Sequence, residues 1–225
     1  GVGRHDFVGV LSNRGPQMLV AILAVLKAGA AYVPVDPSYP LDRVRYILRH
    51  SAVTVLLTDP ALSDMVELLC PASEAEQPAL PALQSLLLLD DASAKQRQPL
   101  ERIQPALTVL NPAQWRQHSK AALTLTIDPN DNMVVLFTSG STGQPKGVVL
   151  NHAGYQNRLN WHQQLFQLQP GERVAQKTSC CFDVSLWELF WPLMFGGVVC
   201  AVDKDTVANP WAFAEWLEAA QINIA

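Results

Sequence analysis

The sequence is poor in charge. Only 16% of its 225 residues are charged, 20 acidic against 16 basic, and the net charge of −4 has no basic run behind it. That excludes a polyanion such as DNA or RNA as a partner, and makes any phosphate binding a local matter. Long apolar runs are missing too. The longest, around Met18 to Leu26, ends at Lys27 and is too short to span a bilayer, and no leader with a basic start and a small-residue cleavage site precedes it. These absences point to a cytoplasmic protein with no membrane partner. The 4 cysteines, Cys70, Cys180, Cys181 and Cys200, have neither paired C-x-x-C spacing nor accompanying histidines. A zinc site or disulfide framework is thereby disfavoured, and the cysteines read as reduced thiols, mostly core. Two common nucleotide motifs are also lacking. The Walker pattern wants Gly directly before Lys, but Pro145 precedes Lys146; Gly-x-Gly-x-x-Gly is supplied neither there nor by Gly1-Val2-Gly3.

What is present is ample core material, 49% hydrophobic residues, arranged in alternating segments. Phe7 to Leu11 reads as a strand. Gln17 to Ala28 reads as a helix apolar around most of its circumference, and so buried between layers. Ala30 to Val35 is a second strand, Asp36 to Pro40 a rigid turn, and Leu41, Val44, Ile47 and Leu48 give a one-sided helix ending at His50 before a strand at Val53 to Thr58. Strand, helix, strand, helix, strand implies right-handed crossovers and a parallel sheet. From about Cys70 to Asn132 the regularity lapses. Only Leu86 to Leu89 resembles a strand, and the segment reads as a variable surface excursion.

Further on, Tyr155, Leu159, His162 and Phe166 fall on one face of a helix from about Asn151 to Leu168, which makes His152 and His162 helix residues rather than ligands. Arg173 to Thr178 is a strand. The next helix carries Leu186, Leu189, Phe190 and Leu193 inward and is closed by Gly196-Gly197 before a strand at Val198 to Val202. Asn209-Pro210 starts a final helix with Phe213, Trp216, Leu217 and Ala220 on its core face, and Ile222 to Ala225 begins one more strand. The expected fold is a layered α/β domain. The chain starts without Met and stops within an apolar run, so it is expected to be a piece of something larger.

The densest chemistry lies in Met133 to Leu150, placed by this reading at the centre of the fold. Two β-branched runs, Met133 to Phe137 and Val148 to Leu150, flank Thr138 to Gly147. Thr138, Ser139, Ser141 and Thr142 offer hydroxyl donors. Gly140, Gly143 and Gly147 let backbone N–H groups approach an anion, Lys146 adds a positive charge, and Pro145 stiffens the turn. Glycine and serine between strands usually mean only a flexible turn. An entropic linker, however, needs no such set of hydroxyls, glycines, proline and lysine within ten residues, and the connection reads as a phosphate cradle.

A second candidate follows at Asp183. Ser185 to Glu188 has the form of a capping box, which would leave Asp183 unneeded as a cap. In so apolar a stretch its carboxylate wants donors or a cation. A second capping contact, a pair with Arg or Lys, and a ligand's ammonium group all answer that need. Trp187, four residues on, would lie near the same side, either as the wall of a pocket or as an ordinary core aromatic.

Thr138 to Gly147, TSGSTGQPKG, resembles the signature loop of the adenylate-forming enzymes, the superfamily of acyl-CoA synthetases, firefly luciferases and the adenylation domains of nonribosomal peptide synthetases. Leu26 to Pro37, LKAGAAYVPVDP, is similar to an early core motif of the peptide-synthetase branch, and Phe182-Asp183-Val184-Ser185 matches its FDxS motif. The resemblance implies that residues 1–225 are part of the large N-terminal subdomain, with largely parallel sheets and flanking helices, a variable segment at about 70–132 and no C-terminal subdomain. It implies a reaction in which an amino acid carboxylate attacks the α-phosphate of ATP, pyrophosphate leaves, and the aminoacyl adenylate passes to a carrier protein's phosphopantetheine thiol. Neighbouring synthetase domains would be further partners.

On the same ground, Thr138, Ser139, Gly140, Ser141, Thr142, Gly143 and Lys146 would contact the ATP phosphates, and Asp183 would pair with the substrate's α-amino group. Val184 and Trp187 would line the selectivity pocket, where Asp-Val-Trp resembles the opening of serine-activating domains. In the family, the magnesium ligands, the adenine- and ribose-binding residues and the catalytic lysine lie downstream of this stretch, so Lys146 is not that lysine and the 225-residue chain is expected to be inactive and aggregation-prone alone. Two other readings remain: an acyl- or aryl-acid CoA ligase, whose substrate would give Asp183 no partner, and a noncatalytic nucleotide-binding or interaction module.

Overall fold

A computed structural model describes residues 2–70, 80–103, 107–139 and 144–225. Strand β1 (Phe7–Leu11), helix α1 (Pro16–Lys27), β2 (Ala31–Val35), α2 (Leu41–His50) and β3 (Val55–Thr58) follow the expected alternation, and β1 pairs in parallel with β2 on one side and β3 on the other. A 3-10 turn, Pro60–Leu62, runs into α3 (Ser63–Leu69). Next come β4 (Ser85–Leu88), α4 (Ala94–Ile103), β5 (Thr108–Leu110) and α5 (Pro112–Trp115). The hairpin β6 (Asn132–Thr138) and β7 (Lys146–Asn151) leads directly into α6 (His152–Phe166), which is followed by β8 (Arg173–Gln176), α7 (Val184–Met194), β9 (Val198–Ala201), α8 (Lys204–Ala208) and α9 (Pro210–Ala219).

The large sheet has seven strands in the order β5-β4-β3-β1-β2-β6-β7, parallel except for the antiparallel β6-β7 pair. Two sequence expectations need correction. The hairpin carrying the glycine loop is at an edge of this sheet, not its centre. An antiparallel pair closes through a loop without a crossover and can be added at a margin, and β7 leaves Val148 and Val149 nearly half exposed. The segment after Cys70 is not all excursion: β4 and β5 extend the sheet, with α4 contributing buried Leu100 and Ile103. A three-residue strand and a polar helix containing Pro99 leave too weak a period to read. Residues 116–127 lie exposed without regular structure.

Side chains alternate across the sheet, as a period of two requires. Val8, Val10, Tyr32, Val134 and Leu136 join Met18, Ile22, Leu159, Leu186 and Trp191 in one core, beneath α1, α6 and α7. Leu11, Val33, Val35, Val135 and Phe137 join Val44, Ile47, Val66, Leu86 and Ile103 in the other, beneath α2, α3 and α4. A sheet covered on both faces is the usual setting for parallel strands. The α1 helix is less enclosed than its composition suggests, since Val20 remains 62% exposed.

Strands β8 and β9 form a separate parallel pair, extended by a bridge from Val174 to Ile224. Helix α7 connects the two sheets, packing Leu186 and Trp191 with Val174 and the first core. Gly197, after α7, admits no side chain cheaply, because a Cβ there would sit 3.0 Å from the Glu172 carbonyl oxygen. Helix α9 holds Phe213, Trp216 and Leu217 only half-buried and leaves Trp211 exposed. All 4 cysteines are free thiols, with Cys180, Cys181 and Cys200 buried. Among the described residues no helix is long and apolar enough to cross a membrane.

Candidate functional site

The glycine loop leaves the sheet between two register partners, Thr138 at the end of β6 and Lys146 at the start of β7. Thr138, Ser139 and Lys146 are exposed at this open end of the hairpin. Gly140, Ser141, Thr142 and Gly143 lie outside the described residues. The returning limb is anchored from below: the Tyr46 hydroxyl donates to the Pro145 carbonyl at 3.1 Å, and the Tyr46 ring stacks on His50 and meets Phe137 edge-on. Gly147 serves packing, since a Cβ there would come within 3.1 Å of Val135 Cγ1 and 3.2 Å of Phe137 Cζ.

The second group gathers at the start of α7, and here the capping expectation is overturned. Asp183 itself is the N-cap, its Oδ1 accepting from the Val184 N–H at 3.0 Å. Ser185 does not cap; its buried hydroxyl donates to the Phe182 carbonyl at 2.7 Å. Glu188 turns away from the helix start to hold the end of β8. Its Oε1 accepts from Thr178 Oγ1 at 2.6 Å, and its Oε2 accepts from the backbone N–H groups of Thr178 at 2.9 Å and Lys177 at 3.1 Å. With donors this close, the 0% exposed carboxylate is satisfied without a cation. The sequence did carry a signal for it: an acid flanked by Leu186, Trp187, Leu189 and Phe190 needs buried donors.

Asp183, by contrast, is exposed, and among the described residues no Lys or Arg forms an ion pair with it. Of the answers left open by the sequence, the capping contact is present and the structural ion pair is not. Val184 beside it is 45% exposed, and Trp187 is half-buried. Positions four apart share a helix side, so Asp183 and Trp187 border the same surface.

The segment before Asp183 is fastened to β2. Ser179 Oγ donates to Asp36 Oδ2 at 2.7 Å, and Cys181 Sγ donates to the Pro34 carbonyl at 3.4 Å. Burial alone would raise the Asp36 carboxyl, but hydrogen bonds from Ser38 and Ser179 outweigh it and hold it below its ordinary value. A cleft of about 340 Å3, not anticipated from sequence, opens here at the carboxyl ends of β1, β2, β8 and β9, lined by Arg14, Asp36, Ser179, Cys180 and Lys204 among others. The carboxyl ends of parallel strands are where open α/β sheets take ligands.

Helix α6 links the loop to α7. It begins at the Asn151 end of β7, and the Tyr155 hydroxyl donates to the Asp183 carbonyl at 3.3 Å. Burial, then the Asp183 charge, pushes the Tyr155 phenol well above its ordinary value. Two turns on, buried His162 stacks on Trp187, with ring centroids 5.6 Å apart and planes 20° from parallel. Thus Asp183, Val184 and Trp187 come together, as do Thr138, Ser139 and Lys146. Among the described residues no hydrogen bond joins the two groups directly. Also among the described residues, no cluster of His, Cys, Asp or Glu is arranged to hold a metal ion.

Comparison with known proteins places the chain among synthetases and shows the same fold. Tyrocidine synthase 1 of Brevibacillus parabrevis is 31% identical over 224 residues, an alignment covering 100% of this chain and 18% of that protein. The nonribosomal peptide synthetase FmoA3 (S1046A), solved in an AMPPNP-bound form, superposes with a TM-score of 0.74 at 27% identity over 99% of this chain and 20% of its own. Its α-methyl-L-serine-AMP-bound form gives 0.72 at 28% identity over 99% and 21%. A putative long-chain-fatty-acid CoA ligase from Rhodopseudomonas palustris shares the fold, with a TM-score of 0.76 at 18% identity over 99% of this chain and 50% of its own. The chain therefore spans a small part of the synthetases it matches. A family model described as AMP-binding enzyme matches residues 1–225 from end to end, and the chain belongs to that family.

Proposed function

We propose that this chain is the part of an adenylation domain that receives ATP and an amino acid. The observation that carries this reading is the exposed Asp183 carboxylate, capped on one oxygen by its own helix and without a cationic partner among the described residues. It offers an ammonium group a charge-assisted bond. In this reading the substrate carboxylate forms a bond to the α-phosphorus of ATP, the bond to the β-phosphate oxygen breaks, and pyrophosphate leaves. A phosphopantetheine thiol on a carrier-protein domain then takes the aminoacyl group and releases AMP. Neighbouring synthetase domains complete the assembly.

Thr138, Ser139, Gly140, Ser141, Thr142, Gly143 and Lys146 are assigned to the ATP phosphates, because hydroxyls, backbone N–H groups and a lysine are the donors a polyphosphate needs. Supporting this is the AMPPNP-bound relative FmoA3. Val184 and Trp187 are assigned to the side-chain pocket. Serine or a close analogue is the proposed substrate, supported by the Asp183-Val184-Trp187 set and by the α-methyl-L-serine-AMP held in FmoA3. Magnesium would neutralise the phosphates, and the described residues offer it no clustered ligand set.

The test is ATP–pyrophosphate exchange by the full-length protein with a panel of amino acids and the matching acids that lack the α-amino group. Exchange driven by amino acids, serine foremost, is the expected result. Exchange driven by the desamino acids would make the protein an acyl- or aryl-acid ligase. ATP binding without exchange for any acid would leave a noncatalytic nucleotide-binding module.

A further inference from the structure

We infer that His162 is a positioning residue for the amino-acid pocket, fixing the orientation of Trp187 and through it the size of side chain admitted beside Asp183. This rests on the reading that Asp183 and Trp187 face the substrate. A half-buried indole on the first turn of a helix has several rotamers open to it unless something covers its face. In this chain two rings meet the indole: Trp191 crosses it at 63° with centroids 6.1 Å apart, and the flat cover is His162. His162, only 6% exposed, lies nearly parallel to Trp187 in offset stacking, with centroids 5.6 Å apart.

His162 is itself held from several sides. Trp191 crosses it at 60° with centroids 5.6 Å apart, Phe166 stands 5.5 Å away, and Trp161 meets it edge-on at 5.3 Å. Its Nδ1 lies 3.4 Å from the Arg158 carbonyl oxygen on its own helix. Trp191 is the fixed end of the chain of contacts. It is 1% exposed, and its indole N–H donates to Gln163 Oε1 at 2.8 Å. Core Trp191 thus constrains Trp187 both directly, edge-on, and through His162, which lies flat on the indole.

Two of the contacts between α6 and α7 bear on the candidate site. Tyr155 holds the Asp183 backbone, and His162, two turns further along the same face, holds the Trp187 ring. One contact sets where the substrate's ammonium partner stands, and the other sets how far the neighbouring indole reaches beside it. Pro145 and Gly147, at the returning root of the glycine loop, are held instead by Tyr46 and Phe137 on the other face of the sheet.

The test uses the full-length protein in pyrophosphate exchange. His162→Leu keeps the bulk and removes the flat face; it is expected to raise KM for the preferred amino acid about fivefold, the loss of one aromatic pair. KM for ATP should stay within about twofold, and exchange with larger and smaller amino acids should rise relative to the preferred one. His162→Phe restores the face and should restore the KM. In a Trp187→Ala background, His162→Leu should have almost no further effect on KM, as coupled neighbours require. Should the Leu variant not fold, His162→Met fills the same space without a flat face and takes its place.

Equal changes in both KM values, a full effect persisting in the Trp187→Ala background, or no change in amino-acid KM would each overturn the inference. If exchange in the parent proves to need an acid without an amino group, the functional reading fails on that result alone. The same variants assayed with that acid still decide the role of His162.

Discussion

Glu188 and Thr178 form a double polar contact behind the candidate site: one carboxylate oxygen takes the Thr178 hydroxyl at 2.6 Å and the other takes the Thr178 N–H at 2.9 Å. The pair locks the end of β8 to α7 and so fixes where Ser179 to Asp183 begins. Glu188→Ala would leave several buried donors without a partner and should cost roughly 3–5 kcal/mol. Glu188→Gln keeps the shape and one acceptor and should cost roughly 1–3 kcal/mol. Urea unfolding of the full-length variants checks this order, and an alanine variant as stable as the parent would remove the assigned role.

A pH dependence follows from Asp36. Its folded-state carboxyl is held below the ordinary value by hydrogen bonds from Ser38 and Ser179, against the opposing effect of burial. A depressed carboxyl binds fewer protons folded than unfolded. Its contribution is therefore complete above the ordinary aspartate value of about 3.9 and is lost as pH falls through the lower folded value. Thermal unfolding midpoints measured from about pH 5 to pH 3 should fall, and Asp36→Asn should flatten that fall. A variant with the parental slope would assign the acid sensitivity elsewhere.

Lys146 is exposed at the root of the loop, so its removal should leave folding alone. Lys146→Ala is expected to raise KM for ATP roughly tenfold or more, the loss of one charge-assisted hydrogen bond, with the unfolding midpoint and the amino-acid KM unchanged. A change confined to the amino-acid KM would contradict the phosphate assignment.

The sequence revealed most where the physics is local. The run from β1 to β3 was legible because apolar residues recur with a clear period and the Asp36 to Pro40 turn punctuates it. That Thr138 to Gly147 joins two strands was legible from the apolar runs on either side; Asp183, Val184 and Trp187 were grouped by resemblance to a known family, and the structure sets them at the start of one helix.

Features set by tertiary contacts were not. Sheet order is decided by which strands meet, so nothing in Val148 to Leu150 announces an edge. The capping box misled because Ser185 and Glu188 have the right spacing but better partners elsewhere, in Phe182 and Thr178. Leu193 and Phe166 were expected inward from helical spacing, yet are 43% and 56% exposed. Their helices are each covered on only part of the apolar face. His162 was correctly read as a helix residue, but its stacking on Trp187 joins two helices and leaves no trace in either segment.

The central claim is that Asp183 holds the ammonium group of an amino acid. Asp183→Asn isolates that charge, because asparagine caps a helix as well as aspartate does. The deciding measurement is KM for the amino acid in ATP–pyrophosphate exchange by the full-length variant. An increase of roughly a hundredfold, with KM for ATP within about twofold of the parent, is the predicted result for removing one partner of a charge pair that the bound substrate buries. An amino-acid KM equal to the parent's would contradict the account.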